Sequence, residues 1–228
     1  MNPASFTFAV ESAVASAAPA YSLLAIEACV VNGPTTDALW ALTTAAAASA
    51  AAAYRMEEIR LRPAIDATRR AYKALGKEPN RYRPSAEALS RRAVKGMELY
   101  RTLAVIDLIN LVSLKTGISI GGFDADRIEG THLSYGRGEA GEPYEAIGRG
   151  PLNIEGLPVW RDAFGGIGTP TSDNERTKLS ESTRRVLLTV NFFHEATDDE
   201  RLAVGADLVR LLEEFAQATD IRCAVVKP

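Results

Sequence analysis

At Gly117 the texture of the chain changes, and that change limits the fold more than any other feature. Ahead of it, after thirty residues that alternate as strands, long runs carry apolar residues at helical spacing. Beyond it come short alternating segments broken by Gly and Pro: ISIGGFD, THLSYGR, PYEAIGR, LPVWRDAF and RRVLLTVNFF. One late helix, DERLAVGADLVRLLEEFAQA, and a last strand, IRCAVV, close the sequence. Helices gathered in one half and strands in the other argue for an α+β chain. At the boundary itself, Gly121-Gly122 stand where a strand would carry side chains. Paired glycines there predict a bulge, or the close approach of a ligand or another backbone.

The earlier half resolves further. Phe6, Phe8 and Val10 share a face, and SLLAIEACVV reads as a buried strand. Thr35 or Thr36 caps an alanine-rich helix, with Asp37 at its positive end and Pro63 ending or kinking it. AIDATRRAYKALG stops at Gly76, and Ser85 caps SAEALSRRAVKG. TLAVIDLINLVSLKTG reads as a helix buried on most sides, in which Asp107 and Asn110 need polar partners. Thr197 and Glu200 make a capping-box signature, followed by a Leu208, Leu211, Phe215 stripe. IEACVV and IRCAVV both read as central strands, so the first sixty residues are expected to complete the sheet of one domain over 1–228.

A chain of 228 residues, 46% hydrophobic, can bury a sizeable core. Its net charge of −3 predicts no general attraction to nucleic acid or to an anionic membrane. The average conceals a concentration: residues 55–101 hold 13 of the 26 Lys and Arg against 6 acidic residues. Two readings stand, a pair of solvated helices or a phosphate-facing stripe. Cys29 and Cys223 have no metal-like spacing and read as buried free thiols. The N-terminus lacks the positive region of a secretory signal, and no run approaches the roughly 20 apolar residues of a membrane span. The cytoplasm is therefore the expected compartment.

Several chemistries are missing. His132 and His194 are isolated, with no cluster at metal-ligand spacing, and neither a Walker A motif nor GxGxxG occurs. No metal and no cofactor is expected. What remains is GGIGTPTSDNERTKLSEST, Gly165 to Thr183, which is either a solvated loop or a pocket wall whose glycines admit a ligand. In the second case Thr169, Thr171, Ser172 and Thr177 supply hydroxyl groups.

YRPSAEALSRRAVKG, IDLINLVSLKTGISIGGFDADRIEG and the segment ending in VLLTVNFF, in that order, resemble the free-standing B3/B4 domain proteins. Those are related to the editing domain of the phenylalanyl-tRNA synthetase β subunit. The resemblance covers about Ala64 to Phe193 and implies helices packed on a mixed or antiparallel sheet. It also implies a pocket for the amino acid of an aminoacyl-tRNA, lined by Gly121, Gly122, Phe123 and Asp124 and walled by Gly165, Gly166 and Gly168; Asn110 and Thr177 are further candidate ligand-binding residues on their polar chemistry. The synthetase motif has a histidine at the position of Gly121 and a glutamate at that of Thr189, so its tyrosine-reading mechanism does not carry over. Two function classes follow. One is a hydrolase of mischarged aminoacyl-tRNA that holds water with Thr169, Ser172 and Thr189 and grips phosphates with Arg83, Arg91, Arg92 and Lys95. The other is a non-catalytic module that binds tRNA or a small amino-acid-like ligand. A small-molecule enzyme that ignores RNA is the weaker third, and none of the three involves a membrane.

Overall fold

The computed structural model describes residues 5–228. In chain order the elements are β1 (Thr7–Val10), α1 (Ser12–Ala17), β2 (Ser22–Cys29), α2 (Asp37–Ala53), α3 (Pro63–Leu75), α4 (Ser85–Val94) and α5 (Ala104–Thr116). Past Gly117 come β3 (Ile120–Asp124), β4 (His132–Arg137), β5 (Glu145–Ala146), β6 (Gly150–Pro151), β7 (Pro158–Arg161), β8 (Gly166–Gly168) and β9 (Arg185–Phe192), then α6 (Asp198–Ala216) and β10 (Thr219–Val226). This is an α+β fold. One four-stranded sheet has the order β10-β2-β9-β3, the other β1-β4-β7-β8, with a small β5-β6 ribbon. The first is antiparallel throughout; the second is mixed, since β1 runs parallel to β4.

Strand alternation assigns the two cores. Leu24, Ile26, Leu188 and Val190 face α5 and α6, where Leu108, Leu111, Leu208 and Leu211 complete one apolar layer. Leu23, Ala25, Phe123 and Leu187 face the other way, onto Leu133, Tyr135 and Trp160 of the second sheet and Ala67, Ala71 and Leu75 of α3. The β10-β2-β9-β3 sheet is thus covered on both sides.

Several local expectations need correction. The alanine-rich helix ends at Ala53, not at Pro63: Tyr54 is extended, and residues 55–62 turn so that Ile59 buries against Ile65 and Ala86. Thr36 is its N-cap, accepting from the Leu39 N–H. Ser85 is the first helical residue of α4 rather than its cap, because Pro84 occupies the cap position. Thr197 caps α6, but the Glu200 carboxylate reaches His194 Nε2 at 2.8 Å and the box is not closed. β2 is central, whereas β10 is an edge strand; an apolar run alone does not distinguish the two. For the same reason the thiols are not buried: Cys223 is exposed on β10 and Cys29 is half-buried at the end of β2. No helix of the described residues is long and apolar enough to cross a membrane.

Candidate ligand cleft

Four segments converge on a cleft of about 850 Å³, its open mouth included. The helical period places Ile106, Ile109, Asn110 and Ser113 on one face of α5. α4 contributes Ser85 and Leu89 one turn apart, and β3 contributes Ile120 and Gly122 from one side of its pleat. The segment after β8 closes the wall with Thr169, Ser172 and Asp173, followed by Lys178 and Leu179. The lining is an aliphatic floor with a polar arc, the composition of a small-molecule site.

The polar arc is rigid. Thr169 Oγ1 accepts from the N–H groups of Thr171 and Ser172 at 3.2 and 3.1 Å and donates to the Ser172 carbonyl at 3.0 Å. Tyr72 Oη meets Thr171 Oγ1 at 2.9 Å, and Tyr144 Oη donates to the Ser172 carbonyl at 2.7 Å. The Ser85 N–H donates to the Pro170 carbonyl at 2.7 Å, tying α4 to the same turn. Thr169 therefore holds the turn with its hydroxyl, whereas the Ser172 hydroxyl has only a long 3.4 Å contact to the Asp173 carbonyl.

Asp173 is the residue that composition and spacing did not single out. Its Oδ2 accepts from the Gly122 N–H at 3.1 Å. Burial pushes its carboxyl up from 3.8 to about 7, and only that hydrogen bond opposes the shift. Among the described residues it enters no ion pair: Arg176 is held by Asp162 at 2.8 Å and Lys178 by Glu175 at 2.5 Å. The one sequence signal was its place in a hydroxyl-rich segment, and that does not distinguish it from Glu175 or Glu181.

The glycines answer the question raised by their sequence. A side chain on Gly122 would begin 2.6 Å from Ile109 Cδ1 and 3.0 Å from Leu179 Cδ1, inside the cleft lining. Gly121 points to the opposite face, where a Cβ would lie 2.6 Å from Thr189 Oγ1 and 2.9 Å from the Phe123 ring. A Cβ on Gly168 would lie 2.5 Å from Phe123 and 2.8 Å from Asp173 Oδ1. All three mark close approach. Gly121 and Gly122 form no bulge, since the β3–β9 ladder runs in unbroken register from Ile120↔Val190 to Asp124↔Val186, whereas Gly168 pairs with Trp160 where the β7–β8 register shifts.

The structure thus brings Asn110, Gly122, Thr169 and Ser172 together in the cleft. Phe123, Gly121 and Thr189 lie beneath it in the layer between the sheets; Thr189 is fully buried and its Oγ1 has no partner among the described residues. Asp124 caps the turn at Ala125–Arg127, accepting from the Asp126 N–H at 3.2 Å and from Thr183 Oγ1 at 2.8 Å. Gly166 packs under Tyr144, and buried Thr177 reaches only the Ile167 carbonyl at 3.5 Å. Of the basic set, Arg83 and Lys95 are exposed; Arg91 Nε donates to Glu87 at 2.8 Å and Arg92 Nε to the Glu98 carbonyl at 2.6 Å. The basic concentration is not one stripe. Arg62, Arg69 and Lys77 are buried, the first donating to the Leu114 and Lys115 carbonyls that end α5.

The B3/4 domain family matches residues 67–216. No curated protein matches the chain. Among solved structures the fold is similar to an N-terminal fragment of the phenylalanyl-tRNA synthetase β subunit from Pyrococcus horikoshii, with a TM-score of 0.51 at 16% identity over 96% of this chain. The chain spans 51% of that fragment, and at this identity the likeness is one of fold. The family match takes in α4, α5, β3 and the turn after β8, the elements that build the cleft, together with β9. The chain belongs to the B3/4 domain family.

Proposed function

We propose that the cleft receives the aminoacyl end of a tRNA and that the protein hydrolyses the ester of a mischarged one. The observation that carries this reading is the cleft itself: an aliphatic floor faced by Asn110 of α5 and by Ser172 and Asp173 on a rigid turn. An aminoacyl ester is already activated, so positioning a water beside its carbonyl supplies much of the acceleration. Ser172 has a hydroxyl free to hold that water, whereas Thr169 is committed to the turn and Thr189 faces the other side of the sheet. Exposed Arg83 and Lys95 flank α4, the helix that also lends Ser85 and Leu89 to the cleft, and phosphates held there would bring the 3′ end to its mouth.

A second reading is a non-catalytic module for tRNA or a small amino-acid-like ligand. Gly121 and Thr189 favour it, because they stand where the synthetase motif has its histidine and glutamate. The deciding experiment follows deacylation of phenylalanine tRNA charged with tyrosine, beside a panel of other mischarged tRNAs. Hydrolysis above the spontaneous rate, falling at least about tenfold in Asn110→Ala and Ser172→Ala, is expected for the hydrolase. Undiminished binding of tRNA with no hydrolysis of any member sinks that reading in favour of the module.

A further inference from the structure

We infer that Asp173 is the receptor for a ligand ammonium group, so that the cleft selects compounds carrying a primary amine beside an aliphatic or otherwise apolar side chain. This deepens the aminoacyl reading of the cleft and rests on it. The argument begins with a missing partner. Asp173 is half-buried in the cleft wall, and a carboxylate drawn partly out of water is ordinarily paired or multiply hydrogen-bonded. Asp173 has one backbone hydrogen bond, from Gly122, and no ion pair among the described residues. The two cations nearest in sequence, Arg176 and Lys178, are each turned to another carboxylate, Asp162 and Glu175.

The surroundings fit an incoming cation. Asp173 is half-buried beside an apolar floor made by Leu89, Ile106, Ile109, Ile120 and Leu179, where a charge contact is less weakened by water than on the open surface. Its turn is locked by the Thr169 hydroxyl and by Tyr72 and Tyr144, so little ordering remains to be done on binding. The groups facing the carboxylate are neutral or engaged. Tyr144 is kept protonated by burial and by Asp173 itself, and Lys178 is bound to Glu175. The carboxyl, raised by burial, gains its missing counter-charge when an amine arrives. Gly168 is needed at its position because a Cβ would press on Asp173 Oδ1.

The probe pairs are amino acid amides and their deaminated counterparts: leucinamide with 4-methylpentanamide, phenylalaninamide with 3-phenylpropanamide, and valinamide with 3-methylbutanamide. Within each pair only the amine differs, and no turnover is needed. Binding to the full chain at neutral pH is followed by NMR shift perturbation and calorimetry, for wild type and Asp173→Asn. At least one amide is expected to bind wild type about tenfold or more tighter than its deaminated partner, a preference that Asp173→Asn abolishes while the deaminated partner binds both proteins alike. Equal binding of the two partners to wild type overturns the inference and leaves the aminoacyl cleft standing, as does a preference that survives in Asp173→Asn. If neither partner of any pair binds, the aminoacyl reading falls and the ammonium receptor with it. The wild-type preference is read without any variant, so a folding defect in Asp173→Asn does not shield the proposal.

Discussion

Asp173 couples the cleft to the stability of the fold. Its folded-state pKa, about 7, lies above the 3.8 of an unfolded aspartate. A group raised in this way adds its full share of stability below about pH 4 and loses it as the pH climbs through about 7. Asp173→Asn is neutral at every pH, so it should melt roughly 3 °C or more above wild type near pH 8, with the gap closing toward pH 4. Thermal unfolding across that range checks the sign, and a gap that does not change with pH would refute it. Gly168 lies under the same carboxylate and over the ring of Phe123, which is fully buried and cannot swing away. Gly168→Ala is expected to lower stability by about 1–3 kcal/mol in denaturant unfolding. At Gly121 and Gly122 the sequence left a bulge and a close approach open, and at Gly168 a loop and a pocket wall; only the neighbours that fold around them decide for close approach. Asp173 was not legible, because a lone aspartate in a Ser/Thr-rich loop differs from a solvated one only through what folds around it.

At the scale of the element, α4 does more than present charges. Glu87, with no exposed surface, accepts from Arg69 Nη1 at 2.7 Å and from Arg91 Nε at 2.8 Å, tying α3 to α4 through one buried carboxylate. Removing it strands a buried guanidinium, so Glu87→Ala should cost about 3–5 kcal/mol in urea unfolding. The same substitution should loosen the wall of the cleft that Ser85 and Leu89 provide. Helical spacing and terminal residues were enough to locate α3, α4 and α5, because those signals are local. The burial of Arg62, Arg69 and Lys77 was hidden, since each bonds to atoms 10 to 78 positions away and a count of charges carries no partners. The edge position of β10 escaped for a similar reason: strand order depends on the whole sheet.

For the whole molecule, the question is whether an acidic protein with a local excess of basic residues binds tRNA. Once the buried and paired cations are set aside, Arg83 and Lys95 are the members of the basic set best placed to meet phosphates. Reversing both charges should weaken tRNA binding and flatten the log–log salt dependence by roughly 0.7–0.9 per lost phosphate contact. Filter binding across a salt series reads both quantities, and unchanged affinity would remove RNA from the account without touching the amine-reading cleft. The α+β class was legible from the change of texture at Gly117. The pairing of two sheets back to back, with β1 parallel to β4, was not, because register and sheet order are long-range properties. That register has a consequence for how such a chain can change. Gly121 and Thr189 are direct cross-strand partners, and the hydroxyl of one occupies the space where the side chain of the other would begin. The pair is therefore epistatic: a histidine at 121 has no room while Thr189 and Phe123 keep their places. Any lineage or library that exchanges this arrangement for the synthetase-like one has to pass through coordinated substitutions on β3 and β9.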